Sequence, residues 1–174
     1  MEIKVFVTNL ALYNEGELVG EWLTLPATEE EIEGCLERIG IDDEHEEYFL
    51  TDWESETPGL CDGLNVGEYS HLESLSEALE DIPDDLDEDA LAAALEEFGT
   101  WEEALEAVSE GNYYVFYDCE TMTDVAEQYC EEIGILSSIP EHLRYYFDFA
   151  AYGRDMEIEG RFVYYNGDYY QFYY

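Results

Sequence analysis

Positive charge is what this sequence lacks. Lys4, Arg38, Arg144, Arg154 and Arg161 are its whole complement of Lys and Arg, five residues against 46 Asp and Glu, and the net charge is −41. A field of that sign excludes DNA, RNA and anionic membrane as partners and attracts basic surfaces. Long apolar runs are missing as well. No stretch approaches the roughly 20 residues that a membrane helix needs. The opening MEIKVFVTNLALYNEGELVG has no basic segment followed by an unbroken apolar one and a small-residue cleavage site. No signal peptide is therefore expected, and the cytoplasm is the expected compartment.

Cysteine is sparse. Cys35, Cys61, Cys119 and Cys130 lie far apart with no C-x-x-C pair, so no disulfide framework is expected. Cys35 and Cys130 sit among apolar residues at helical spacing and read as small core side chains. Motifs of catalysis are missing too: there is no phosphate-binding glycine loop and no G-x-S-x-G. His45, His71 and His142 stand at no metal-ligand spacing. Paired carboxylates are so abundant that no pair stands out as an acid–base couple, which needs two contrasting environments across a cleft. No enzymatic activity, cofactor or metal is expected.

What is present is apolar and aromatic material. Apolar residues make up 47% of the 174-residue chain and aromatics 16%, including 16 Tyr, which is enough for packed cores despite the self-repulsion. IKVFVTNLALY reads as a strand, NEGE (Asn14–Glu17) as a turn, and LVGEWLTL as a second strand ended by Pro26. Thr28 and Glu31 form a capping box. Ile32, Cys35, Leu36 and Ile39 then mark one face of a helix stopped by Gly40. EYFLTDW (Glu47–Trp53) reads as a third strand.

Gly59, Gly63 and Gly67 mark a loose connection, after which the pattern is helical. Leu72, Leu75 and Leu79 form one stripe, and Leu91, Leu95 and Phe98 a second. Trp101, Leu105 and Val108 form a third, behind a capping box at Thr100–Glu103. NYYVFYD (Asn112–Asp118) reads as a strand, followed by a helix lined by Val125, Tyr129, Cys130 and Ile133. Pro140 opens another helix, with Leu143, Tyr146, Phe147 and Ala150 as its buried face. RFVYYNGDYYQFYY closes as a hairpin around Asn166-Gly167, the pair that suits a type I′ turn. Its strands are aromatic on both faces, and the expectation is core on one side and a partner subunit on the other. The fold class expected is α+β, an elongated chain of three small domains: an N-terminal α+β domain over 1–62, an acidic helical domain over 63–110, and a C-terminal α+β domain over 111–174 that carries the dimer contact.

The stretch EALEDIPDDLDED (Glu77–Asp89) holds eight acids in thirteen residues. Asp85–Glu96 places acids at positions 1, 3, 5 and 12 of a calcium loop, but position 6 is Ala90 where that loop needs Gly to turn. ALAAALEE also favours helix. The stretch therefore reads as a helix N-terminus with acids complementing its dipole.

The amount of charge is informative. Duplex DNA carries one phosphate per ~1.7 Å of axis, so charge equal to this chain's spans about 70 Å of duplex, or about 20 base pairs. A compact globule of this length has a radius of gyration of only about 16 Å. Three small units in line are long enough, and an end-to-end dimer would present about 40 base pairs' worth. Carboxylates on short helices would then stand where phosphates stand, facing a protein built to grip DNA.

Three segments in order, VFVTNLALYNEGELVGEWLTL, DWE (Asp52–Glu54) and EEIGILSSIPEHLRYYFDFAAYGRDM (Glu131–Met156), together with the hairpin at Asn166-Gly167, resemble ArdA-type antirestriction proteins. The resemblance covers nearly the whole chain and is clearest at its two ends. It implies a cytoplasmic protein carried by mobile genetic elements, dimeric through its C-terminal part. It implies imitation of bent B-form DNA and occupation of the DNA-binding groove of type I restriction–modification enzymes, with no active site.

The acids expected to stand for phosphates are those off the apolar stripes: Glu29, Glu30, Glu33 and Glu37; Asp52 and Glu54; Glu80, Asp81, Asp84, Asp85, Asp87, Glu88 and Asp89; Glu96, Glu97, Glu102, Glu103 and Glu106; Asp124, Glu127, Glu131 and Glu132. Two alternatives stand beside this reading: a halophile's protein made acidic for solubility, with some unrelated function, and a calcium-binding module.

Overall fold

Alternation writes the first strand. Ile3, Val5 and Val7 of β1 (Ile3–Asn9) are fully buried, while Lys4 and Phe6 point the other way and stay partly exposed. The computed structural model, which describes residues 1–42, 45–83 and 85–173, ends this strand at Asn9, where the sequence pattern continues it to Tyr13. The next residues instead wind into α1 (Leu10–Asn14). The cause is Asn9. Its buried side chain accepts from the Leu12 N–H at 3.0 Å, capping α1, and donates through Nδ2 to the carbonyls of Ile39 and Gly40 at 3.2 and 3.0 Å. A polar side chain with all these partners is comfortable in the interior, and it diverts the backbone.

β2 (Gly20–Leu25) and β3 (Tyr48–Glu54) flank β1 in an antiparallel sheet of order β2-β1-β3. α2 (Glu29–Arg38) lies against β2 and buries Ile32 and Cys35, the face expected of it. Its capping box is complete: the Thr28 Oγ1 accepts from the Glu31 N–H, and the Glu31 carboxylate accepts from the Thr28 N–H at 2.9 Å. Gly40 follows with φ +81°, the left-handed geometry that ends a helix. The supposed loose connection contains α3 (Leu60–Gly63), with Leu60 fully buried.

Further along, α4 (Leu72–Glu80) buries Leu72, Leu75 and Leu79 and packs against β2 and α2. Its buried Ser76 accepts from the Ala27 N–H at 3.2 Å. α5 (Glu88–Phe98) and α6 (Trp101–Ser109) complete the middle of the chain.

The second sheet has the order β4-β6-β5, all antiparallel, with β4 at Tyr113–Phe116, β5 at Arg161–Tyr165 and β6 at Asp168–Phe172. Asn166 and Gly167 have φ of +51° and +98°, as the type I′ reading requires. One face of this sheet meets α7 (Met122–Glu132) and α9 (Phe149–Glu159). Phe116, Cys119, Met122 and Val125 form a cluster there, joined by Tyr129, Met156, Phe162 and Tyr169. The other face is not left for a partner subunit, as the aromatic pattern suggested. α5 occupies it, with Phe98 edge-to-face on Phe172 at 5.4 Å and the Arg161 guanidinium over the Phe98 ring. Asn166 Nδ2 donates to Asp89 at 3.0 Å and fixes the other end of the helix.

The helix after Pro140 is the main correction. Only α8 (Glu141–Arg144) forms, and the proposed buried face is open: Leu143 is 45% exposed, Tyr146 is 77% exposed and Ala150 is exposed. Asp148 then accepts from the Ala151 N–H at 2.9 Å and starts α9. Gly153 lets α9 approach α7, since a Cβ there would lie 2.3 Å from the Met122 carbonyl oxygen. Ile133, expected on the buried line of α7, is the residue after the helix and is 52% exposed.

Among the described residues the fold is mixed α+β, with two small three-stranded sheets and nine α-helices. Contacts divide it into two compact units, one of residues 1–88 and 99–102, the other of 89–98 and 103–174.

Candidate functional site

The acids of α2 are set by its apolar stripe. With Ile32 and Cys35 turned inward, Glu29, Glu30, Glu33 and Glu37 are all exposed. A depression of about 850 Å³ runs beside this helix, and Glu30, Glu33 and Glu37 line it together with Leu23 and Pro26 of the β2 end. A second hollow, about 440 Å³, lies between α2 and α4. Glu29 and Glu33 line it from one side and Glu73, Glu77 and Glu80 from the other, over a floor that includes Ala27, Ile32 and Ser76. Glu73 and Glu77 were missed in the sequence. They fall one and two places after Leu72 and Leu75, off the stripe, and the same rule that selected Glu80 would have found them.

Elsewhere the acids divide into exposed and half-buried. Asp52 and Glu54 are exposed on β3, with Glu54 3.7 Å from Lys4 Nζ. Glu80, Asp81, Asp85 and Glu96 are exposed, as are Glu102, Glu103 and Glu106 on α6 and Glu127 and Glu131 on α7. Glu88 is exposed and 3.7 Å from the N-terminal ammonium. Asp87, Asp89, Glu97 and Asp124 are half-buried. Asp89 holds Asn166, Glu97 pairs with Arg161 at 3.7 Å, and Asp124 completes a capping box with Thr121. Glu132 accepts from the Tyr114 hydroxyl at 2.8 Å, which raises the Tyr114 pKa above its ordinary value. Asp84 lies outside the described residues.

Lys4, Arg38 and Arg161 each pair with a carboxylate. Arg38 makes a two-pronged pair with Glu21, its Nε donating at 3.0 and 3.1 Å, and holds that carboxyl below the usual range. The Glu31 carboxyl is also lowered, by the Thr28 backbone N–H and hydroxyl. Burial, with Glu21 nearby, pushes the Cys35 thiol up to about 11, as suits an inert core residue.

Among the described residues no group of three or more His, Cys, Asp or Glu side chains is placed to hold a metal ion. The stretch Asp85–Glu96 is helical from Glu88, where a calcium loop would have to bend. No helix among the described residues is long and apolar enough to cross a membrane. The acids described above are thus mostly exposed carboxylates. A sequence model of the antirestriction protein family ArdA matches residues 5–171.

The chain belongs to the ArdA antirestriction family. No individually curated protein matches it. ArdA proteins inhibit type I restriction enzymes without catalysing a reaction.

Proposed function

We propose that this ArdA protein inhibits its target by presenting carboxylates in place of the phosphates of B-form DNA, and so occupies the DNA-binding groove of the type I enzyme in the cytoplasm. The hollow between α2 and α4 is the observation that carries the reading. On the side of α2 that lines the hollow, Glu29 and Glu33 stand four residues apart, about 6 Å along the axis. A single DNA strand is denser, with one phosphate per ~3.4 Å. α4 faces them with Glu73, Glu77 and Glu80 at one per ~5 Å. Two charged rows bordering one hollow are the protein counterpart of a groove between backbones.

The other acids named above add to the negative field. The half-buried, engaged ones (Asp89, Glu97 and Asp124) contribute field more than contact. Steering into a basic groove precedes many individually weak carboxylate–Lys/Arg contacts. The division into three domains in an elongated chain belongs to this proposal, as does a dimer formed through the C-terminal part. Exposed Leu143, Tyr145, Tyr146 and Ile158 support the dimer contact, because apolar surface of this kind is uncommon without a partner.

The test is competition between the purified protein and duplex DNA for a type I methyltransferase core. Displacement is expected, with log affinity falling linearly against log salt. Each single charge removal on α2 or α4 should cost no more than about fivefold, the scale of exposed ion pairs, and losses should accumulate gradually. If one removal abolishes inhibition, or if affinity ignores salt, the distributed mechanism is wrong.

A further inference from the structure

The outer face of the first sheet is open around Lys4 and Phe6, though not at the fully buried Thr8, and there it is unlike the rest of the acidic surface. Register places Trp22, Phe6 and Asp52 side by side across the three strands, and Thr24, Lys4 and Glu54 in the next row. Alternation puts all six on the face opposite the Ile3–Val5–Val7 core. The Trp22 and Phe6 rings meet edge to face at 5.4 Å, yet Trp22 remains 45% exposed. Lys4 is paired with Glu54. Asp52 is exposed, with one carboxylate oxygen accepting from the Trp53 N–H at 2.9 Å.

A sugar–phosphate backbone offers a basic groove charge and hydrogen-bond acceptors. This face offers those and an indole ring. Phe6 stands on the strand between Trp22 and Asp52, so a guanidinium reaching this face meets two rings, whose quadrupoles attract it, and one strand beyond Phe6 a carboxylate that accepts its N–H groups. Surfaces that grip DNA are rich in such side chains.

We propose that the Trp22–Phe6–Asp52 face is an anchor site for an arginine side chain on the DNA-gripping surface of the type I enzyme. The inference rests on the competitive reading above and adds to it a contact that DNA's backbone cannot make and that salt screens weakly. Trp22 supplies ring area and its π face, Phe6 holds Trp22 in place, and Asp52 supplies the charged acceptor.

The experiment measures affinity of the full chain for the methyltransferase core across a salt series. Trp22→Ala should weaken binding about tenfold at every salt concentration, the scale of an interface anchor, with the salt slope unchanged. Asp52→Asn should weaken it and also flatten the slope. Glu33→Gln on α2 should flatten the slope with little vertical drop. Trp22→Phe, which keeps a ring, should recover most of the loss, and a circular-dichroism melt of each variant confirms that it is folded. Tryptophan emission should change on complex formation in the wild type and not in Trp22→Phe. If the wild type does not displace DNA, the competitive reading fails and this site with it. If the wild type competes but folded Trp22→Ala and Trp22→Phe both match it, the site alone is overturned. A Trp22→Ala variant that changes self-association while keeping its affinity for the core would assign the face to a second copy of the chain and equally overturn the inference.

Discussion

The two sheets have the same size and opposite treatment. The first, β2-β1-β3, is covered on one face and carries Trp22, Phe6, Asp52 and Glu54 on the other. The second, β4-β6-β5, lies between α5 and the α7–α9 pair. Both are aromatic, so aromatic content alone does not tell whether a face is core or surface. The neighbouring carboxylates do. On the first sheet they share the face with the rings, and on the second they lie at its margins, where Asp89 and Glu97 fasten α5.

The comparison can be broken most strongly in the second core. Phe116→Ala removes a fully buried ring and should cost about 3–5 kcal/mol. Phe6→Ala on the open face should cost clearly less, about 1–2 kcal/mol. All three tryptophans fall in the first unit and most tyrosines in the second, so tryptophan emission and near-ultraviolet tyrosine signals during denaturation should report the two losses separately. Equal costs would contradict the contrast.

Next in size come two backbone constraints, one in each unit. Gly153→Ala forces α9 away from the Met122 carbonyl and should destabilise by about 1–3 kcal/mol. Asn9→Ala leaves the Ile39 and Gly40 carbonyls without its amide donor and the Leu12 N–H without its acceptor, for about the same loss. Denaturant midpoints at constant slope measure both.

The two capping boxes should be nearly equal. Thr28→Ala and Thr121→Ala each remove a cap worth about 1 kcal/mol. The smallest effect is a dependence on pH in the first unit. Glu21 and Glu31 have carboxyl pKa values lowered by folding, so their contribution is present above the ordinary carboxylate range and is lost as pH falls through the lowered values. Acid titration followed by tryptophan emission should shift on Glu31→Gln, while the tyrosine signal should not.

Much of the local structure was readable from residue spacing. The Thr28–Glu31 cap, the stripes of α2, α4 and α5, and the Asn166-Gly167 turn rest on interactions within a few residues, and they form as their chemistry dictates. Failures arose where a distant group decided. Leu10–Tyr13 looks like more strand until Asn9 finds the carbonyls of Ile39 and Gly40. Leu143 to Ala150 looks like one amphipathic helix, but Asp148 restarts the chain as α9, whose Gly153 lies against Met122. At the acidic surface, the rule of acids off the stripe gave Glu29, Glu33 and Glu80, but nothing in the spacing brought the α4 acids Glu73, Glu77 and Glu80 opposite Glu29 and Glu33 of α2.

The residues by themselves settled the sign and density of the charge, the lack of recognisable catalytic motifs and the family. Composition and ordered segments carry these, and they need no knowledge of what lies across the fold. Tertiary structure alone decided which helices border the same hollow and which aromatic face stays open to water. Both depend on contacts between segments far apart in the chain, such as α4 on β2 or Phe98 on Phe172. Such contacts are selected by shape and burial over the whole domain, which no local pattern encodes.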